Sequence, residues 1–415
     1  MNNNIWKKSF IAVSLLYAHC TISLSVSDMQ DVYVTHRLAT DTDADWVVVG
    51  AGPAGIATVG VLMDIGIDPQ RIMWIDPEFN VGHLSAFPHV PSNNKTKEFI
   101  DFVNACDCFK ECTSPTLEQL HAYNPEERHN LEVVIKPLVC ITAHLREKIQ
   151  SIEGMLTALF FDQGVWHVGT STGQAVSAQH VVLATGSYPK TLEYNKQGII
   201  TLDKALDPEI LKTLVGAEDT VGVVGGSHSA ILLLKFLSEL QVKHIYNFYK
   251  YPILYAVDMG TWTLHPNGIK GITAQWAREV LEKNPPANLT RIQVTDSTLP
   301  ALVEQCSKVV YAIGYDRNPL PAVNGQEPIA QYNEHNGFIA PRLFGIGIAF
   351  PEQRVDPLGN QSYRIGLDSF MSYAQRLIPH WVAGDVEEQV KRSGRIQRQM
   401  NLLEKMASLF TIEAL

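Results

Sequence analysis

The chain is short of three things. Basic residues are outnumbered, 33 Lys+Arg against 43 Asp+Glu for a formal charge of −10, and no stretch carries a basic stripe. That balance excludes a protein that binds the phosphate backbone of nucleic acids. Six cysteines in 415 residues are too few for a disulfide scaffold. No run of 18 uninterrupted apolar residues occurs, which excludes a polytopic membrane protein. What is present, 46% apolar and 18% charged residues, describes a globular chain. At about 150 residues per domain, the length predicts two or three domains with real cores.

Residues 1–25 form a segment apart. Lys7 and Lys8 precede an apolar run over 10–18, and small residues follow (Ala18-His19-Cys20, then Ser23-Leu24-Ser25). This is the charge, core and cleavage pattern of a secretory signal or weak anchor, pointing to export or membrane association. The same run also suits an apolar arm docked on the body of a cytoplasmic protein. There is no twin-arginine pair. Asn-x-Ser/Thr sequons begin at Asn94, Asn288 and Asn360, close to the number chance produces.

Trp46-Val47-Val48-Val49 predicts a buried parallel strand. It runs into Gly50-Ala51-Gly52-Pro53-Ala54-Gly55 and then a helical pattern over 56–63. Gly50 suits a tight turn, Gly52 lets a pyrophosphate approach the backbone, and Gly55 lets helix and strand pack closely. The helix start offers N–H groups and partial positive charge to phosphates. A second strand over 71–75 ends at Asp76-Pro77, an acid placed to accept from ribose hydroxyls, 26 residues after Gly50. Strand, glycines, helix, strand and acid in that order predict a dinucleotide site.

A similar unit recurs from Thr220. Val221-Gly222-Val223-Val224 leads into Gly225-Gly226-Ser227-His228-Ser229-Ala230 and an apolar helix over 231–240. Ser227 and Ala230 replace the second and third glycines; both are small, so close approach survives with less margin. The strand over 244–248 ends in Tyr249-Lys250 with no acid. Lys250 suits a 2′-phosphate, or is a solvated strand-end lysine. His228 either touches dinucleotide phosphates or caps the helix. Two further apolar segments end in glycine turns: Val181-Val182-Leu183-Ala184 before Thr185-Gly186-Ser187-Tyr188-Pro189, and Val309-Val310-Tyr311-Ala312-Ile313 before Gly314-Tyr315. They mark where the chain leaves and re-enters the first unit.

The order GAGPAG, ATGSYP, VVGGSHSA and YAIGY, spanning residues 46 to about 370, resembles the two-dinucleotide-domain flavoprotein oxidoreductases. Within them it is most similar to the flavin-dependent monooxygenase branch, which includes N-hydroxylating amine monooxygenases. The resemblance implies an α/β fold of two Rossmann-like, doubly wound dinucleotide-binding domains, the second inserted in the first. FAD would lie on 44–214 and 305–384 and NAD(P)H on 215–304. A helical tail over 385–415 would dock on the body or make a homodimer contact. FAD contacts fall to Gly50, Gly52, Pro53, Ala54, Gly55, Asp76 and Pro77. NADPH contacts fall to Gly225, Gly226, Ser227, His228, Ser229 and Lys250, with Thr185, Gly186, Gly314 and Tyr315 at the crossings. The loop over 82–95 resembles one that crosses the flavin in the monooxygenases, which gives Asn93 or Asn94 a catalytic place near its reactive edge. As an ordinary proline-rich turn, it would only make local backbone bonds.

The departures also carry information. The Phe-x-Gly-x-x-x-His signature of sulfur- and ketone-oxygenating relatives is absent before the second glycine motif. Residues 341–350 hold no aspartate where disulfide-reductase relatives carry Gly-Asp for the ribityl chain. A helix after Gly366-Leu367 is placed to aim its start at the flavin pyrimidine edge. Cys106, Cys108 and Cys112 have neither the spacing of a redox pair nor that of a zinc site, so no metal is expected. His265 and Lys270 are candidate substrate contacts in a loop that is otherwise plain surface. No Ser-His-Asp or paired-carboxylate arrangement stands out, as expected where a cofactor carries the chemistry. The expected activity takes hydride from NADPH to FAD and uses molecular oxygen to oxygenate a small nucleophilic substrate. The alternatives are a dehydrogenase serving a quinone or protein acceptor, and a flavin-binding sensor or assembly protein that has lost turnover.

Overall fold

The computed structural model describes residues 43–192, 198–323 and 332–384. The expected signal segment and the tail from 385 onward lie outside them. The first sheet runs in the order Phe338–Ala340, Leu343–Gly345, Ala175–Leu183, Asp43–Val49, Ile72–Asp76, Gln150–Glu153. All of these except the Phe338–Ala340 edge pair in parallel. A meander of Leu156–Asp162 and Val165–Thr170 hangs antiparallel on the start of Ala175–Leu183. Every residue of Ile72–Asp76 is buried. The helices Pro53–Asp64, Thr96–Val103, Glu132–Arg146 and Leu367–Ala383 cover one face, and the meander and Phe350 cover the other. A strand covered on both sides has no use for alternation, which is why these runs are continuously apolar.

The second sheet has five parallel strands, Leu289–Gln293, His244–Tyr249, Thr220–Val224, Lys308–Tyr311 and Ile199–Ile200, in that order. It therefore reaches beyond the expected 215–304. Ile199–Ile200 and Lys308–Tyr311 both belong to it, the latter as the neighbour of Thr220–Val224. The apolar segment after Val309 is thus the last crossover of the second unit, because its buried face packs on that unit's core. Re-entry into the first unit comes just afterwards. There Tyr315–Arg317 pairs antiparallel with the outgoing Ser187–Pro189 to make a two-stranded ribbon.

In both sheets the glycine-bearing strand is flanked on one side by the strand that follows it and on the other by a strand from much later in the chain. Val49 is in register with Ile75 on one side and with Leu183 on the other, so the chain reverses direction across the sheet directly beyond Gly50. Open α/β sheets bind ligands at such a switch point. Leu367–Ala383 packs along Pro53–Asp64, stacks Trp381 on Phe344 at 4.5 Å and ends at left-handed Gly384. No described helix is long and apolar enough to cross a membrane.

Gly55 is the tightest contact between helix and strand: a Cβ there would stand 1.8 Å from the Gly50 carbonyl oxygen. Backbone on both sides leaves no flexible end to give way. Gly55→Ala should destabilise the first unit by about 3 kcal/mol or more, read as a lowered denaturation midpoint and loss of bound flavin on purification.

Candidate dinucleotide sites and the cleft between them

The helix Pro53–Asp64 begins at Gly52 with no side-chain cap, so its first N–H groups are free for a ligand. A Cβ on Gly52 would meet only the Val81 carbonyl oxygen, at 3.9 Å, which leaves the approach open. Asp76, expected to face a ribose, also clamps the loop. Its Oδ2 accepts from the Ala51 N–H at 2.7 Å, and its Oδ1 accepts from the Glu78 and Phe79 N–H groups at 2.9 and 2.7 Å. Trp74 Nε1 donates to the Gly50 carbonyl at 2.9 Å. Pro77 is exposed at the strand end, and Ala54 lies against Gly347. Thr185 and Gly186 stand at the outgoing crossing, where Asn318 Nδ2 donates to the Thr185 carbonyl at 2.7 Å and the Asn318 N–H donates to Gly186. No local motif marked Asn318, which meets its partners only through the ribbon.

The second cradle follows the same plan. Gly225 takes φ 137°, and Ala230 fills the third-glycine position, its Cβ 3.3 Å from where a Gly225 Cβ would stand. Ser227 begins the helix His228–Glu239 without capping it, which leaves its N–H groups open, and Ser229 sits in the first turn. Gly226 lies beside Tyr249 and Tyr251. Lys250 is ion-paired to Asp296 at 2.6 Å. Beside it, Arg291 stacks over the Tyr249 ring at 4.4 Å and donates from Nε to Asn247 Oδ1 at 3.0 Å. Asn247 in turn donates to the Gly225 carbonyl at 2.7 Å, and the buried Arg291 Nη2 has no hydrogen-bond partner. The polar Asn247 inside an apolar strand was the one sequence signal for this cluster. His228 is turned inward, sharing a 3.3 Å hydrogen bond between Nε2 and Thr273 Oγ1. Burial, and then the nearby Lys270, hold its pKa down at about 4, so it carries no charge toward phosphates near pH 7.

Between the cradles lies a cleft. The loop over 91–95 is fixed by Ser92 Oγ, which accepts from the Asn94 N–H at 2.9 Å, and by Arg128 Nε, which donates to the Asn93 carbonyl at 3.0 Å. Asn93 Oδ1 and Thr185 Oγ1 are buried with no hydrogen-bond partner. Gly366, at the start of Leu367–Ala383, is the neighbour of Asn94: a Cβ on Gly366 would stand 3.8 Å from Asn94 Nδ2. Lys270 borders this cleft from the second unit, whereas His265 forms a turn, its carbonyl accepting from the Gly268 N–H at 2.8 Å. Gly314 and Tyr315 enter the ribbon, where a cavity of about 490 Å³ is lined by Ser187, Tyr315, Arg317, Tyr332, Glu334 and Ile348.

Three of the described cysteines are buried elsewhere, while Cys112 and Cys140 are half-buried. Cys106 Sγ is 4.0 Å from Met371 Sδ, Cys108 Sγ is 3.7 Å from the Gly60 carbonyl, and Cys306 is buried in the second unit. Hydrogen bonding to Cys108 and burial push the Cys106 thiol up, away from the thiolate needed for exchange.

Gly52→Ala should fold normally, because its backbone (φ −73°, ψ 178°) suits alanine, and yet weaken flavin retention at least about tenfold in a dialysis assay. His228 gives a pH signature. Its folded pKa lies below the unfolded 6.5, so the unfolded chain binds the proton first as pH falls. Stability present above about 6.5 is lost between there and about 4. His228→Gln should show a smaller drop in melting temperature between those limits than the wild type.

The matrix of motifs and geometry agrees with what the chain is similar to. The pyridine nucleotide-disulphide oxidoreductase family matches residues 44–340. The chain is 32% identical over 383 residues to the monooxygenase AgnR1 of Paecilomyces divaricatus, covering 81% of this chain and 97% of that protein. In fold it is similar to the ornithine N-hydroxylase of Kutzneria sp. 744 (TM-score 0.55, 13% identity, 83% of this chain and 100% of that one). It is also similar to OTEMO in an FAD-bound form (TM-score 0.52, 12% identity, 82% and 98%). At those identities the likeness is one of fold. The chain belongs to the pyridine nucleotide-disulphide oxidoreductase family and is an oxidoreductase of its FAD-dependent, two-dinucleotide-domain kind.

Proposed function

We propose that this protein is an NADPH-dependent flavin monooxygenase acting on a small nucleophilic substrate. The observation that carries the reading is what the cleft contains. Two uncapped helix starts open toward ligand space, Asn94 lies beside Gly366, and Cys106, Cys108 and Cys306 are buried in the cores of the two units. Those three buried thiols give electrons entering the site no outlet. The 32% identity to a protein named as a monooxygenase supports the same choice.

The residues fit the implied cofactors. The open approach at Gly52 suits a pyrophosphate, and Asp76, which already accepts three N–H groups, has acceptor capacity left for a ribose hydroxyl. Thr185 Oγ1 and Asn93 Oδ1 are buried polar atoms whose partners a bound ring system would supply. FAD bound there supplies the two-electron chemistry that accepts hydride from NADPH and passes electrons to molecular oxygen. The chain's own part is to hold and enclose. Asn94 and the first turn of Leu367–Ala383 present donors where negative charge develops. The apolar Ile348 lines the adjoining cavity, and the ribbon of Ser187–Pro189 with Tyr315–Arg317 sets how the second unit meets the first. On the second unit, Arg291 with its open Nη2 is better placed for a 2′-phosphate than Lys250, which Asp296 already occupies.

An anaerobic titration with NADPH, followed by an oxygen pulse, tests the reading. We expect NADPH to bleach the flavin band and oxygen to produce a lasting near-ultraviolet absorbance before the oxidised spectrum returns. Bleaching with immediate reoxidation would instead identify a dehydrogenase, and no bleaching would favour a sensor. Arg291→Ala should raise the KM for NADPH about tenfold while changing that for NADH much less, and Lys250→Ala should matter less than Arg291→Ala.

A further inference from the structure

Lys270 is a half-buried cation at the border of the two units, and among the described residues it has no ion pair within 4.0 Å. Its neighbour Gly271 lies directly against Arg128: a Cβ on Gly271 would stand 3.3 Å from Arg128 Cδ and 3.8 Å from the Ser92 carbonyl oxygen. Arg128 in turn holds the Asn93 carbonyl, so Lys270 borders the asparagine loop rather than the outer surface. Burial pushes the Lys270 ammonium down from its ordinary range. Glu98 opposes that shift, while Arg128 and Arg364 add to it. Of the two acids nearby, Asp368 is committed to Arg364, and Glu98 accepts from the Lys95 N–H while burial pushes its own carboxyl up. Lys270 and Arg128 are thus two neighbouring cations for which the described residues supply no ion pair within 4.0 Å.

We propose that Lys270 recognises a carboxylate on the substrate, supported by Arg128, so that the enzyme's substrates are small carboxylic acids bearing the nucleophile to be oxygenated. The inference rests on the functional reading above and names its substrate class. An anion seated there relieves repulsion between Lys270 and Arg128 and gives Lys270 an ion-pair partner. A carboxylate of the substrate suits this place better than a cofactor phosphate. The phosphates have the uncapped start of His228–Glu239, whereas Gly271, next to Lys270, lies against Arg128 and the Ser92 carbonyl of the first unit. The neutral His228 lies on the cofactor side and adds no competing charge.

The test titrates the FAD-loaded full-length protein with benzoate while following the flavin absorbance, and measures the KM for NADPH in parallel. We expect saturable binding to the wild type and at least about tenfold weaker binding to Lys270→Met, as for loss of one charge-assisted hydrogen bond. Lys270→Arg should restore most of the affinity, and the control Lys212→Met, an exposed lysine paired to Glu209, should bind like the wild type. The benzoate loss in Lys270→Met should exceed any change in the KM for NADPH several-fold. Benzoate that fails to bind the wild type, or binds Lys270→Met equally well, overturns the proposal. A rise in the KM for NADPH larger than the benzoate effect also overturns it, assigning the lysine to cofactor phosphate. Failure of NADPH to bleach the wild-type flavin would sink the functional reading instead, and the benzoate titration would still be readable.

Discussion

The Asp76 carboxylate beneath the first glycine loop is the interaction on which the rest depends. Three backbone N–H groups, from Ala51, Glu78 and Phe79, converge on it, and Trp74 holds the Gly50 carbonyl from the same strand. Charge-assisted bonds from backbone donors hold the loop in one conformation inside a buried strand end. Because that loop sits where neighbouring strands diverge, fixing it fixes the mouth of the switch point. The helix that starts there then aims free N–H groups outward rather than into the core.

The second constraint is how two such units are joined. Both crossings pass through one ribbon, Ser187–Pro189 with Tyr315–Arg317, and Asn318 ties the incoming strand to Thr185 and Gly186. An ion pair between Lys190 and Asp316, at 3.2 Å, lies on the same ribbon. The asparagine loop is held from below by Arg128 and touched from the side by Gly366. The surroundings of the asparagine loop are thus assembled from segments far apart in the chain, each short and none forming them alone. The buried orphan atoms Asn93 Oδ1 and Thr185 Oγ1 fall where those segments meet, as expected where a ligand completes the hydrogen bonding.

A family name built on disulphide chemistry sits on a chain in which Cys106, Cys108 and Cys306 are buried packing groups. Cys106 and Cys108 line the far side of the first helix, where small, soft side chains fill space between Gly60 and Met371. The scaffold of two cradles and a cleft is shared, and the electron outlet is what changes between relatives.

Much of this was legible in the residues. Both glycine turns, the strands before them and the helices after them were all visible. Such features are encoded within a few residues of one another, through turn geometry, close approach and apolar runs. Side-chain partnerships were not legible. Lys250 carries the charge expected for a 2′-phosphate, but Asp296, 46 residues on, claims it, while Arg291 reaches the same region from a neighbouring strand. His228 lies inside the motif and yet faces Thr273, because the helix after Lys270 packs against it. The second unit's extent depended on parallel pairing of Lys308–Tyr311 beside Thr220–Val224, which no local pattern specifies. The sequence by itself determined where the two glycine turns open into uncapped helix starts, since backbone conformation at glycine is local. Only the tertiary structure decided which charges remain free to meet a ligand, since that depends on which distant side chains neutralise them first.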